Sequence, residues 1–438
     1  MRVELQSGTR RRHGRRRSWS RPPGRSWRRA PERRRPSAAL GGAVLILLLA
    51  AAAYVAFSAV RSAPGLTASA ATRHPAFPGR PHGLGWPAQG QAAAGVEGVG
   101  LIGSHGPAGP TPIASLAKVM TAYVVLHDHP LNGHASGPSI TVHPSDVAVY
   151  RSDVASGQSV VAVRAGEHLT ERQALEGLLL PSGNNIATLL ARWDAGSLPA
   201  FVARMNATAR RLDLRHTHYA DASGYRAATV STATDQVRLA ILAMAQPAFR
   251  QTVGMTQATL PVAGQQFNLD GLLGTDGIIG IKTGTTPQAG GCFLYAARAR
   301  VGGHSVILVG GLLHQMATRT QPSILAAALH ATTALVNGSR RALETHRIIR
   351  RGEPLAAVTA PWGPSVPLTA AHSVVLSGWP GLRTQVTVSV HPRLTAPVRA
   401  GQTLGSAVVT AGSEHATVPL VASGSLSGPS LGWKLTHP

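Results

Sequence analysis

Lysine stands at only three positions of this chain, Lys118, Lys282 and Lys434, among 42 basic Lys and Arg side chains. Arginine can hold charge or pair with a carboxylate, but a guanidinium does not give up its proton near neutral pH, whereas a lysine amine can. The few lysines therefore mark places where a neutral amine or a compact ammonium has a job. Two of them sit in short motifs, Ser115-Leu116-Ala117-Lys118 and Lys282-Thr283-Gly284, with Ser182-Gly183-Asn184 between. Positions three apart on a helix share a face, so the Ser115 hydroxyl and the Lys118 amine can touch. A serine hydroxyl is a weak nucleophile until a neighbouring base takes its proton. A lysine becomes that base when burial or a nearby positive charge lowers its pKa.

The other two motifs supply what such a pair needs. Ser182 and Asn184 fall on a turn, from which side chains project into a cleft. The Ser182 hydroxyl can relay a proton, and the Asn184 amide can hold a substrate carbonyl. The Lys282 ammonium can depress the pKa of Lys118 or orient a substrate. The Thr283 hydroxyl can bind a carboxylate, and Gly284 allows a close approach to the backbone. An extended peptide can add along this strand, and the backbone N–H groups of Ser115 and Thr285 can form an oxyanion hole. Each motif alone is short and common; the three together, in this order, are specific.

The elements that must position these residues are legible in outline. Pro112 suits the first turn of a helix over the run ASLAKVMTAYVVL. Leu169 to Arg192 reads as helical but is broken at Pro181-Ser182-Gly183-Asn184-Asn185, giving two helices and a turn. Phe201 to Leu212, Thr232 to Ala245 and Ser323 to Leu343 are further helices. Ala92 to Ile102 reads as a first strand and Gly277 to Gly284 as another. Cys292 to Arg298 and Ser305 to Leu312 read as a hairpin around Val301-Gly302-Gly303. Strands at both ends with helices between imply one antiparallel sheet beside a helical lobe, spanning residues 89–345. Residues 350–438 alternate as half-buried strands, Thr384 to Val390 most clearly, and read as a small all-β domain. Lys434 falls in that terminal β region with no motif around it.

Composition sets the compartment. The formal charge is +24, but residues 1–37 hold fourteen arginines against Glu4 and Glu32, so half the excess lies in one tail. Uncharged Ala38 to Val60 follows, long enough to cross a bilayer as a helix. Arg33, Arg34 and Arg35 crowd one flank and only Arg61 stands at the other, which places residues 1–37 in the cytoplasm as a basic tail and the rest outside. Ala68-Ser69-Ala70 resembles a cleavage site, but the apolar segment is too long for an ordinary signal core, so an uncleaved anchor is expected. The charge distribution gives no reason to expect nucleic acid as a partner. Prolines and glycines over 61–88 read as an extended linker. Cys292, the one cysteine, lies in an apolar run and reads as a buried strand residue.

Three stretches carry a family resemblance: PIASLAKVMTAY, LLLPSGNNIATLLA and GIKTGTTPQAGGCFLYAA. With FVARMNATARRLDL, DASGY and STATDQ between them, residues 90–345 resemble the serine-type D-Ala-D-Ala carboxypeptidases, low-molecular-mass penicillin-binding proteins of the S11 peptidase type. The resemblance implies a β-lactamase/transpeptidase-like α/β fold, no cofactor or metal, and an acyl-enzyme on Ser115. Lys118 would be the base and Ser182 the proton carrier to the leaving amine, acting on peptidoglycan stem peptides, with β-lactams as covalent inhibitors. Arg319, between the last sheet strand and the long helix, would bind the substrate's terminal carboxylate. Many relatives anchor through a C-terminal amphipathic helix; the ending LGWKLTHP shows no such pattern.

Three other readings compete. A class A β-lactamase needs a glutamate after the second motif, and none occurs between Glu176 and Glu344. A zinc peptidase is suggested by His127-Asp128-His129, His134 and His216-Thr217-His218, but there is no H-E-x-x-H. A penicillin-binding scaffold or sensor without turnover would not need Ser115, Lys118 and Lys282 intact.

Overall fold

The computed structural model describes residues 37–437. The basic tail expected over 1–37 therefore lies, but for its last residue, outside the described residues. Two units are distinguished, residues 63–429 and, by itself, the apolar N-terminal helix with residues 430–437.

The larger unit is built on a five-stranded antiparallel sheet in the order Ile278–Thr286, Gly290–Val301, His304–Gln315, Gln91–Val96, Gly100–His105. Its two faces are set by the two-residue period of a strand. From Gly290–Val301, Cys292, Leu294 and Ala296 enter one core while Phe293, Tyr295, Ala297 and Ala299 enter the other. The neighbouring strand divides the same way, Val309 and Leu313 against Leu308 and Leu312. The helix Ile324–Ala342 covers the second face, contributing Ala328, Leu335 and Val336. On the first face the helical lobe packs Ala117–Asp128, Glu171–Leu179, Asn184–Ala195, Leu198–Arg211 and Ala233–Met244. Because both faces are covered, the central strand is apolar nearly throughout instead of alternating with polar residues.

Local signals fix the helix starts. Thr170 accepts from the Gln173 amide and the Gln173 side chain answers the Thr170 amide, a reciprocal cap on Glu171–Leu179. Ser197 and Ser323 cap Leu198–Arg211 and Ile324–Ala342 in the simpler way.

Several sequence expectations change. Ala92 to Ile102 is not one strand but two, Gln91–Val96 and Gly100–His105, because Gly98 and Gly100 take positive φ and turn the chain. Pro112 does not open a helix. It lies in the two-residue strand Thr111–Pro112, paired with Val230–Ser231, and the helical path begins at Ala114. The helix Pro144–Ala155 and the hairpin Gln257–Leu260 with Gly264–Phe267 carried no strong periodicity.

The C-terminal β region forms a six-stranded sheet in the order Thr67–Ala70, Pro354–Thr359, Val366–Ala370, Glu414–Ala422, Thr403–Ala411, Gln385–Val390, with Glu344–Ile349 paired to Val374–Gly378. It has its own core, including Val358, Leu368, Val409, Val418 and Leu420. The segment 61–88 does not run free as a linker. Thr67–Ala70 pairs antiparallel with Pro354–Thr359, Arg73 bridges to Val386, Ala76 bridges to Arg383, and Phe77 is buried. Prolines there are compatible with an edge position, which does not require every N–H in a ladder.

In the smaller unit, Ser37–Val60 is one helix, of which Gly41–Val60 is long and apolar enough to cross a membrane. The chain ends in a short helix, Leu431–Thr436, where β structure was expected. Lys434 is not idle: its ammonium donates to the Ala59 and Arg61 carbonyls, both at 2.9 Å. Those carbonyls end the apolar helix and have no partner within it, so a cation there satisfies both hydrogen bonding and the helix dipole.

Candidate active site

The three motifs meet where the helical lobe joins the edge strand Ile278–Thr286. Ser115 lies on a single 3-10 turn, Ala114–Leu116, that runs into Ala117–Asp128. The turn is strained, with Ala114 at φ 47°. It is held by close backbone approach at two glycines. A methyl group at Gly224 (φ 80°) would lie 1.8 Å from the Ala114 carbonyl oxygen, and one at Gly284 would lie 2.9 Å from the Ser115 amide nitrogen. Strained backbone of this kind costs about 1–3 kcal/mol and persists only where the surroundings over-determine it.

Lys118, one turn on, is fully buried. Its Nζ donates to Ser115 Oγ at 2.8 Å, to Asn184 Oδ1 at 2.6 Å and to the Ser223 carbonyl at 3.0 Å. Burial, reinforced by the Lys282 charge, holds its pKa well below the ordinary lysine value, against the opposing pull of Asp221 and Asp153. A buried amine with a lowered pKa, bonded to a partly exposed serine hydroxyl, has the arrangement that a general base acting on a nucleophile requires.

Ser182 and Asn184 come from the break between two helices. Ser182 takes φ 66°, and its buried Oγ has no hydrogen-bond partner among the described residues. A hydroxyl with both its donor and its acceptor uncommitted can pass a proton. Asn184 is fixed at both ends: Oδ1 accepts from Lys118, and Nδ2 donates to Gln158 Oε1 at 2.6 Å. Asn185, next in the chain, clamps the same loop through the Val161 N–H and C=O.

Lys282 is buried on the edge strand and donates to the Thr283 carbonyl at 3.0 Å. Burial brings its pKa down to about 8, with Asp270 opposing. Thr283 is buried opposite Phe293, Gly284 lies beside the Ser115 amide, and Thr285 is exposed opposite Gly291. Arg319 lies exposed in the turn after His304–Gln315, and among the described residues no hydrogen bond or ion pair joins it to this cluster.

Sequence reasoning gave no role to three contributors. Gln158 sits in a stretch without periodicity and carried no signal. The Asp221–Tyr225 loop supplies the third acceptor for Lys118. Asp221 organises it, accepting from Ser223 Oγ, the Tyr225 amide and Thr229 Oγ1. The third is Asp270, outside every motif, whose charge opposes the lowering of the Lys282 pKa. Cys292 is fully buried, with its thiol pushed up to about 12 by burial, which makes it a packing residue. Of the histidines weighed as zinc ligands, His127 contacts Asp128 and His129 lies 3.1 Å from Asp194. Among the described residues no three His, Cys, Asp or Glu side chains gather around a possible metal position.

Comparison with known proteins shows the family. Residues 101–310 match the D-alanyl-D-alanine carboxypeptidase family, peptidase family S11. The chain is 35% identical over 212 residues to a D-alanyl-D-alanine carboxypeptidase of Streptomyces sp. strain K15, covering 44% of this chain and 69% of that one. It is 38% identical over 203 residues to a D-alanyl-D-alanine carboxypeptidase of Mycobacterium tuberculosis, covering 45% and 65% respectively. In fold it is similar to penicillin-binding protein 5 of Haemophilus influenzae (TM-score 0.54, 20% identity), over 78% of this chain and 99% of that one. The chain belongs to the S11 family of serine-type D-alanyl-D-alanine carboxypeptidases, enzymes of peptidoglycan maturation.

Proposed function

We propose that the chain removes the terminal D-alanine of peptidoglycan stem peptides through an acyl-enzyme on Ser115. The observation that carries this reading is the buried Lys118 amine, 2.8 Å from Ser115 Oγ and depressed in pKa by burial and by Lys282. Lys118 takes the Ser115 proton as Oγ attacks the carbonyl between the two D-alanines. The developing oxyanion is received by the Ser115 and Thr285 amides. Ser182 passes the proton from Lys118 to the leaving amine, D-alanine departs, and water then releases the shortened peptide. Asn184 keeps Lys118 in place and Lys282 supplies positive charge. Thr283 and Gly284 border the open edge of the sheet, where an extended peptide can add as a further strand. Arg319 is proposed to receive the terminal carboxylate only once substrate is bound.

The same site is proposed to bind β-lactams covalently, since a strained amide carbonyl presents the same electrophile to Ser115. The apolar helix anchors the enzyme in the membrane, with residues 1–37 cytoplasmic and the catalytic region outside; the arginine excess before Ala38 supports that orientation.

The test is product analysis with a synthetic stem pentapeptide ending in D-Ala-D-Ala. Release of one D-alanine per peptide, abolished in Ser115→Ala, is the expected result. Binding without release would instead make the chain a scaffold or sensor.

A further inference from the structure

The strand His304–Gln315 runs past the end of its neighbour. Its pairing with Gln91–Val96 stops at Leu308, opposite Val96, and one further bond joins the Glu97 amide to the Ile307 carbonyl. The chain then turns off through Gly98 and Gly100, both at positive φ. On the other side of the strand, Gly302 (φ 55°) and Gly303 (φ 84°) form a two-residue hairpin turn, so Val301 and His304 are the bonded pair that closes it. Bonded and non-bonded pairs alternate along an antiparallel ladder. Ser305 and Ile307 therefore turn their N–H and C=O groups away from Gly290–Val301. Ile307 meets Glu97 there. Ser305 is exposed, and among the described residues no strand pairs with it on that side.

This open edge borders a cavity of about 680 Å3 between the central sheet and the C-terminal β domain. The two meet firmly at its rim: Ser413, in the turn before Glu414–Ala422, donates through both its amide and its Oγ to the Gly98 carbonyl, each at 2.7 Å. The walls are apolar, with Val306 from the strand, Leu242 from the helix Ala233–Met244 and Val375 from Val374–Gly378. Leu242 is 38% exposed and Val375 51%, so large apolar side chains from two parts of the fold are left facing solvent.

The charge of the cavity runs against that of the chain. There are 42 Lys and Arg against 18 Asp and Glu overall, yet Glu97 and Glu414 both line this space. The Glu414 carboxylate lies over Gly98, where a methyl group would meet its Oε1 at 2.8 Å, and is thus one residue from Glu97. Glu97 is paired with Arg250, while among the described residues no hydrogen bond or ion pair reaches the Glu414 carboxylate. Burial raises the Glu97 pKa, Arg250 opposes the rise and the like charge of Glu414 adds to it. A cation entering beside them removes that repulsion.

We propose that this cavity is a docking groove for an extended segment of a partner protein, which adds as a strand beside His304–Ile307 and carries aliphatic residues next to a lysine or arginine. The open edge recruits extended backbone, the walls select aliphatic side chains and the two carboxylates select a basic one. None of the three motifs lines the groove, so this inference goes beyond the catalytic reading and does not rest on it.

The test uses the full chain in phosphatidylcholine nanodiscs and two fluorescein-labelled peptides, Arg-Val-Thr-Val-Arg and Glu-Val-Thr-Val-Glu, with binding read by fluorescence anisotropy. Each presents the same end residue in either strand direction. The arginine peptide should bind about tenfold or more tightly than the glutamate peptide, the worth of one hydrogen bond to a charged group. Glu414→Lys should remove or reverse that preference. Ser305→Pro deletes the outward N–H at a place where no ladder bond is lost, and should weaken both peptides about fivefold. Penicillin acylation should stay native in both variants.

Equal affinity for the two peptides, or a preference unmoved by Glu414→Lys, overturns the proposal. If Ser305→Pro does not fold, an arginine peptide N-methylated at alternate residues takes its place, and unchanged binding of that peptide overturns the strand pairing. Concentration-dependent dimerisation that Glu414→Lys abolishes, without peptide binding, gives the groove to a second copy of the chain and overturns the proposal as well.

Discussion

At the residue scale, the site is a problem in proton affinity. A hydroxyl and an amine 2.8 Å apart do nothing catalytic if the amine holds its ordinary proton. Burial and a second lysine remove that obstacle. Two consequences follow for pH. Lys118 must be neutral, so acylation rises as pH climbs through its lowered pKa. Lys282 must be charged, so acylation falls as pH passes about 8. A bell-shaped dependence of the acylation rate constant on pH, with its alkaline limb near 8, is expected from stopped-flow measurements with a chromogenic β-lactam. Lys118→Arg keeps the charge but not the base. Its acylation should drop by about a thousandfold or more, within the range general-base removal usually costs, with little change in secondary structure by circular dichroism.

At the scale of elements, the site depends on how closely the Ser115 turn approaches the edge strand. Gly284 is the contact point, and a methyl there would press on the Ser115 amide that the mechanism assigns to the oxyanion. Gly284→Ala should therefore lower acylation about a hundredfold, the effect of a displacement on the order of 1 Å in a reacting group, while the melting temperature changes little. A normal acylation rate in that variant would remove the Ser115 amide from the oxyanion hole.

It is also at this scale that reading the sequence succeeded and failed. The helix break at Pro181–Asn185, the edge strand ending in Lys282-Thr283-Gly284 and the hairpin after it were legible because proline, glycine and apolar runs are local signals. Gln158 and Asp270 were not legible, and DASGY was legible only as a family stretch with no role for Asp221, because what these residues do depends on what faces them across the fold. Pro112 misled for a related reason: its ring suits a helix start and a short bridge equally, and pairing with Val230 decided the matter. Lys434 was misread because its partners, Ala59 and Arg61, lie more than 370 residues away.

At the scale of the whole molecule, the chain combines a membrane-length apolar helix, a catalytic region and a β domain that recruits residues 67–77 as part of its own structure. A segment that looked like a spacer is thus load-carrying in the β domain, and its deletion should destabilise that domain instead of merely shortening the reach of the enzyme. The charge asymmetry about Ala38–Val60 makes a further expectation: protease added to intact spheroplasts should digest the chain beyond about residue 61 and leave a small membrane-bound fragment, read by immunoblot against an N-terminal tag. Full protection would reverse the orientation, and a mature N-terminus near Ala71 would mean cleavage instead of anchoring.

Everything in the account passes through one bond, between Ser115 Oγ and an acyl group. The most direct measurement is mass mapping of the purified protein after reaction with a labelled penicillin. The account predicts a single adduct on the peptide containing Ser115, stable enough to isolate, with slow turnover because no glutamate follows Ser182 to activate a deacylating water before Glu344. A label on any other residue, or equal labelling of Ser115→Ala, would contradict it.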